Sequence, residues 1–386
     1  MDVSLPAASR TALFALTGIQ SDMSKLQLRL ATGKRVNSPI DDPNAYFLSQ
    51  SLSARAATLG SLAANISTAQ STIDAANNGL ASIQSLLTSA QSIANQALQS
   101  SQVLTTVTGT NSSAFTTSSV IASAGGSATR LKAGDTVTVG DGTTTATYTA
   151  VNGDTIQDLL DAVNNTSGLN VTASLNSSGQ LKFTATSNVN ITIGGTETGA
   201  GTLDSVLGLT AGTTNYTTNT LRQNLAAQFD SLRTQIDQAA ADAGLSGVNL
   251  LTGGSLSVNF NEDGTSSLNV AGVSAKSADL GLTASGNTWQ LDGDINASLD
   301  QITTAINSLQ AYTATFGSMG AIMTARSDFN NSMITTLNSG ADALVASDVN
   351  EDSAMLLALQ TRQQIATAAL SFTQGANTDV LKLFNL

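Results

Sequence analysis

The sequence predicts a mainly α chain with a β-rich insert. A long antiparallel helical bundle, or coiled-coil rod, is built from both termini, with a small β hairpin in the rod and an α+β outer domain. Three observations predict this. Apolar residues at both ends recur at alternating spacings of three and four, the mark of helices that lie lengthwise on other helices. All three prolines, Pro6, Pro39 and Pro43, fall near the start, so none breaks a long helix later in the chain. Near residue 105 the composition turns to Thr, Gly, Ser and Asn, and the apolar period drops to two.

The first stripe is Leu16, Ile19, Met23, Leu26 and Leu30, a helix that Gly33 ends as a residue free to turn left-handed. GKRVNSPIDDPN follows as a connector, its two prolines and the Asp41-Asp42 pair favouring turns and caps. A second stripe then runs through Leu59, Leu62, Ile66, Ala69, Ile73, Ala76, Leu80, Ile83, Leu87, Ala90 and Ala94 without a slip. It predicts a helix over 46–103, about 85 Å long at 1.5 Å per residue.

The insert, 106–216, reads as roughly ββαβββ. TVTVG and TTTATYTAV flank an Asp141-Gly142 turn. Asp154-Thr155-Ile156-Gln157 has the form of a capping box opening a short helix. A second hairpin turns at NSSG, and VNITI adds a strand before Gly194-Gly195, read as a loop. Helical pattern resumes at Leu221, a hairpin spans 255–273, and Ile295, Leu299, Ile302, Ile306 and Leu309 start a helix that continues towards Leu344. A last stripe holds Met355, Ala358, Ile365, Ala369 and Phe372, ending on Val380, Leu381, Leu383 and Phe384.

The chain has no Cys and no His, which removes disulfides, thiol and imidazole catalysis and the commonest zinc ligands. A net charge of -12 disfavours a nucleic-acid partner. No apolar run is long enough to cross a membrane, and the N-terminal residues lack the basic start and apolar core of a secretory signal. Asp135, Asp141, Asp154, Asp158 and Asp161 cluster in sequence but lack a calcium-loop spacing, so they read as solvated turns and helix caps. No catalytic, cofactor or metal site is expected. The terminal stripes have little else in the chain to cover them, so these helices either fray in the monomer or bury their stripes on neighbouring copies.

At several separated places the sequence resembles bacterial flagellin, most like those of alphaproteobacteria. LRLATGKRVNSPIDDPNAYF resembles the family's joint between inner terminal helix and outer rod, and IQSLLTSAQSIANQALQ its first rod helix. GVNLLTGGSLSVNFNEDG resembles its helix-to-hairpin passage, and MLLALQTRQQIATAALSFTQGANTDVLKLF its C-terminal helix and apolar tail. The resemblance implies a structural subunit, not an enzyme, exported unfolded and assembled into an extracellular filament. It implies an inner coiled coil from 1–34 and 348–386, a rod domain from 35–105 and 217–347, and a surface-exposed insert. It places the intersubunit interface at Leu16, Ile19, Met23, Leu26, Leu30, Ile365, Ala369, Phe372, Val380, Leu381, Leu383 and Phe384. The rod core is expected at Leu59, Leu62, Ile66, Ile73, Leu80, Ile83, Leu87, Ile302, Ile306 and Leu309. Partners implied are other copies, a filament cap, hook-associated junction proteins and an export chaperone. Two alternatives stand beside it. The Asp41-Asp42-Pro43 run also suits a hook–filament junction protein, and the insert could serve a secreted adhesin.

Overall fold

The computed structural model describes residues 7–384; the side chains of residue 8 and of 376–386 lie outside that description. The chain order is α1 (Ala7–Thr32), α2 (Pro43–Gln99), β1 (Thr106–Thr108), β2 (Ala122–Ser123), β3 (Leu131–Lys132), β4 (Thr136–Gly140), β5 (Thr145–Thr149), α3 (Ile156–Asn164), β6 (Val171–Leu175), β7 (Leu181–Ala185), β8 (Ile191–Thr196), α4 (Leu203–Leu207), β9 (Gly212–Thr214), α5 (Thr220–Asp242), β10 (Ser255–Asn259), β11 (Ser267–Ala271), α6 (Asp292–Val345) and α7 (Val349–Phe384). The fold is mainly α with a β-rich insert. It divides into two compact units: residues up to 71 with 256–270 and those from 318 onward, and residues 72–255 with 271–317.

In the first unit, Gly33 takes φ 68° and stops α1, a conformation any Cβ would strain. The chain then forms a short antiparallel clasp with the connector after α6. Lys34 bridges Ala346, Arg35 N donates to Val345 O at 2.6 Å, and Ser347 N donates to Gly33 O at 3.0 Å. Asp42 starts α2 by accepting from Ala45 N at 3.1 Å, with Pro43 at the first helical position, where its missing N–H costs nothing. Further on, α2 and α6 meet through Ala56, Leu59 and Leu337, with Leu52, Leu62, Met333 and Ile334 against them. The turn of the β10–β11 hairpin is tied to α2 by Arg55, whose Nε lies 2.7 Å from Glu262 Oε1. Arg326 on α6 lies over the Phe260 ring, 5.3 Å from its centroid.

In the second unit the insert forms two antiparallel sheets, ordered β1-β7-β6 and β5-β4-β8-β9, and a two-residue parallel pair, β2-β3. Buried and open positions alternate along β4 to β8, so each strand turns one face inward. A single apolar cluster, including Val137, Tyr148, Leu159, Phe183, Ile193 and Leu207, draws only on residues of the insert. The expected ββαβββ order lacks β1, β2, β3, β9 and α4. Strands of two or three residues are too short to show a period, and α4 is only five residues long.

Three expectations about the insert are corrected. Gly194 and Gly195 are not a loop but lie within β8, facing Thr138 and Val137 of β4. A Cβ on Gly195 would sit 2.0 Å from Thr136 O, so the glycine permits close backbone approach. The capping box sits one residue later than expected. Thr155 is the cap, and its N and Oγ1 both donate to Asp158 Oδ2 at 2.8 Å. Asp154 instead accepts from Tyr148 Oη and Val151 N, each at 2.9 Å. Asp135 and Asp141 are buried, not solvated. Asp135 accepts from Thr198 N, Thr198 Oγ1 and Lys132 N, and Asp141 from Thr143 N, Thr144 N, Asn170 N and Asn170 Nδ2.

The two ends of the insert meet where Asn219 Nδ2 donates to Ser101 O at 2.9 Å. Beside them Arg222, 1% exposed, joins α2, α5 and the start of α6. It donates to Ser100 O at 2.6 Å, to Gln290 O at 3.1 Å and to Asp292 Oδ1 at 2.5 Å. Trp289, the chain's one tryptophan, is fully buried, with its ring 4.9 Å from that of Phe229 and its Nε1 donating to Ser298 Oγ at 3.0 Å. Along the same unit Gly79 of α2 lets α5 approach: a Cβ there would lie 2.6 Å from Ala243 Cβ.

Candidate functional site

The α1–α7 pair is the place where sequence and structure leave apolar surface unaccounted for. Asp348 starts α7 by accepting from Asn350 N at 2.9 Å and Glu351 N at 3.2 Å. Glu351 and Asp352 then occupy its first turn, where the helix dipole favours negative charge. Asp352 is buried and pairs with Arg29 Nη2 of α1 at 3.3 Å; the Ser347 hydroxyl also donates to it. Residues 22–29 and 355–362 line one groove, so the two helices run antiparallel.

Burial on α7 recurs at Asp352, Leu356, Leu359, Gln363, Ala366, Leu370 and Thr373, spaced four and three throughout. On α1 it recurs at Ala12, Leu16, Ile19, Met23, Leu26, Arg29 and Leu30. The expected α1 residues therefore lie on the seam with α7 of the same chain: Leu26 is buried, and Leu16, Ile19, Met23 and Leu30 are half-buried.

The α7 stripe expected from sequence lies off that seam, flanking it at Met355 and Ala358, which border the groove beside α1, and turning outward at Ile365 and Phe372. Met355, Ala358, Ile365, Ala369 and Phe372 are all exposed, Ile365 at 64% and Phe372 at 78%. Leu13, Phe14 and Leu28 are likewise exposed on α1. Val380, Leu381, Leu383 and Phe384 belong to the last turns of α7, and their side chains lie outside the described residues. Of the residues expected in the rod core, Leu59, Ile66, Ile73, Leu80, Ile83, Leu87, Ile302 and Leu309 are buried, and Leu62 and Ile306 half-buried.

Sequence reasoning missed the second stripe of α7, Leu356, Leu359, Ala366 and Leu370. The same spacing of three and four carries it, interrupted only by Gln363. It also missed Arg222, for which no local signal exists, because its partners lie about 70 and 120 residues away.

Among the described residues no cluster of acidic side chains could hold a metal ion, and no helix is long and apolar enough to cross a membrane. What the pair can do is bury apolar surface on another helix. At roughly 1.5–3 kcal/mol per large apolar side chain, covering Met355, Ile365 and Phe372 is a sizeable driving force.

Comparison with known proteins agrees at both ends and in the middle. The family model for the bacterial flagellin N-terminal helical region matches residues 3–117, the flagellin hook IN motif 136–187, and the bacterial flagellin C-terminal helical region 299–384. Flagellin A of Rhizobium meliloti is 27% identical over 98% of each chain. Flagellins FljK and FljM of Caulobacter vibrioides are each 31% identical over 42% of this chain. Those matches span 59% of the Caulobacter proteins' length. Among solved structures, the D1-D2-D3 domains of the flagellar cap protein FliD from Escherichia coli align at 11% identity over 60% of this chain and 89% of that one, with a TM-score of 0.16.

Proposed function

Because the chain belongs to the flagellin family, we propose that it is a structural subunit, not an enzyme, which polymerises into an extracellular flagellar filament. The observation that carries the proposal is the two-sided apolar character of α7. One stripe is used within the chain against α1, and a second, Met355 to Phe372, is left open at the same heptad spacing. A helix of a soluble monomer has no use for the second stripe, whereas a helix nested between copies does.

Assembly then couples ordering to burial. A terminal helix pair in one copy is a marginal structure, and the conformational entropy of fixing it is offset when neighbours cover its open face. Ile365, Ala369 and Phe372, with Met355 and Ala358, form that face on α7. Val380, Leu381, Leu383 and Phe384 are assigned to it on sequence alone. Leu16, Ile19, Met23, Leu26 and Leu30 first seat α7 within the chain, and neighbouring copies cover what stays exposed on them. The residues 35–105 and 217–347 supply the rod, and 106–216 the surface. A filament cap, hook-associated junction proteins and an export chaperone are the further partners this reading requires.

Polymerisation tests it. Purified monomer is given sulfate or filament seeds and viewed by negative-stain electron microscopy. Long uniform filaments, lost on deleting residues 1–34 or 348–386, are expected. Monomers that persist under every seeding condition would refute the reading.

A further inference from the structure

The connector between α1 and α2 carries a residue that the fold leaves almost wholly open. Ile40 is 92% exposed, the highest of any large apolar side chain among the described residues. It does not sit on a slack loop. Asp41 Oδ2 accepts from Asn37 N at 3.0 Å, Ser38 N at 2.9 Å and Ser38 Oγ at 3.0 Å, folding the connector back on itself. Those bonds, led by the Ser38 hydroxyl, hold the Asp41 carboxyl below its usual range, and the charge of Lys25 in the same chain adds to the effect. Asp42 caps α2 and pairs with Arg35 at 3.7 Å. Pro39 and Pro43 restrict the backbone on either side. The connector thus presents an apolar knob beside a carboxylate whose Oδ1 accepts no hydrogen bond among the described residues.

A groove of matching chemistry runs along the α1–α7 pair. Leu26, Met355 and Leu359 supply apolar surface, and Lys25, Arg29 and Arg362 supply positive charge against the single acid Asp22. Arg29 is engaged by Asp352, but neither Lys25 nor Arg362 has an ion-pair partner within 4 Å among the described residues. Such a concentration of cations is notable in a chain with only 15 Lys and Arg and a net charge of -12. We propose that the Ile40–Asp41 knob of one copy seats in the α1–α7 groove of a second copy, Ile40 against Met355 and Ala358 and the Asp41 carboxylate facing Arg362. Made in one direction only, the pairing is heterologous and leaves the second copy's knob and the first copy's groove free for further copies. It rests on the filament reading and names the partner for one end of the open α7 stripe.

The absence of cysteine gives a direct test. Ile40→Cys and Ala358→Cys are made in separate copies, mixed, polymerised on native seeds and oxidised with copper phenanthroline. A disulfide-linked dimer is expected from the mixture and from neither variant alone. Filaments that form from the mixture without that dimer overturn the knob-and-groove contact while leaving the filament reading intact. Failure of the native chain to polymerise removes both. Should either cysteine variant fail to enter filaments, elongation by Arg362→Glu and Arg362→Lys copies decides instead. The glutamate variant should elongate about tenfold more slowly at low salt, and the lysine variant near the native rate. Equal elongation by all three overturns the proposal.

Discussion

Asp141 shows how a single residue can be structural while looking like a surface acid. Burial by itself would raise its pKa. The N–H groups of Thr144, Asn170 and Thr143 and the Asn170 amide outweigh burial and hold the pKa at about 2. The folded pKa lies below the unfolded one, so the stabilisation is complete above about pH 4 and is lost as the pH falls through about 2. A shift of this size is worth about 2 kcal/mol. Urea unfolding of the native chain should therefore weaken over that window by about this amount more than unfolding of Asp141→Asn; parallel pH profiles would count against the role given to Asp141. At the same scale, Asn287, Thr288 and Trp289 take successive φ values of 44°, 50° and 56°. L-residues resist this left-handed region, most of all a β-branched one. Thr288 is exposed, and the buried Trp289 beside it fixes the turn. Thr288→Gly is expected to stabilise the protein by about 1 kcal/mol, read as a higher urea midpoint at unchanged slope. A lower midpoint would show that the Thr288 side chain itself supports the turn.

At the scale of an element, α7 separates folding from assembly by giving each its own stripe. Phe372 and Ile365 point away from the α1 seam, whereas Leu26 lies in it at 4% exposure. Phe372→Ser should leave the monomer's circular dichroism unchanged and raise the critical concentration for polymerisation by about tenfold or more, the equivalent of losing one buried aromatic side chain. Leu26→Ala should do the reverse first, lowering monomer helix content by loosening α1 from α7, at a cost of about 2 kcal/mol. If both substitutions changed the monomer equally, the division of α7 into two faces would fail.

For the whole molecule, a core made only of insert residues predicts that the insert folds by itself. Every residue of its apolar cluster lies between 107 and 209, and Ser101 and Asn219 hold its two ends together. A chain joined directly from 104 to 217 keeps those ends adjacent, so it should still polymerise on native seeds, and a fragment of 104–217 should unfold cooperatively by itself. Loss of polymerisation in the shortened chain would mean that the insert takes part in assembly; a fragment without a cooperative transition would mean that its core needs the rest of the chain.

Local information was enough for much of this. The heptad spacing from Leu16 to Leu30 and from Leu59 to Ala94, the lack of late prolines and Gly33 determined the long helices. Asp141-Gly142 and NSSG, set between residues of period two, determined the hairpins β4–β5 and β6–β7. These signals act within a few residues, where backbone sterics and side-chain alternation decide the conformation before any distant contact forms. What only the tertiary structure decided is which surface meets which. An alanine-rich helix such as α7 carries two stripes with the same period, and periodicity cannot say which one α1 covers. Arg222, Trp289 and Asp135 are buried because segments far apart in the chain bring hydrogen-bond acceptors, a second ring and donor groups to them. Gly195 lies within a strand because β8 pairs with β4, remote in sequence, where the Thr136 carbonyl leaves no room for a side chain. In each case the deciding energy is that of burying a group against a partner remote in sequence, and no window of the sequence contains both.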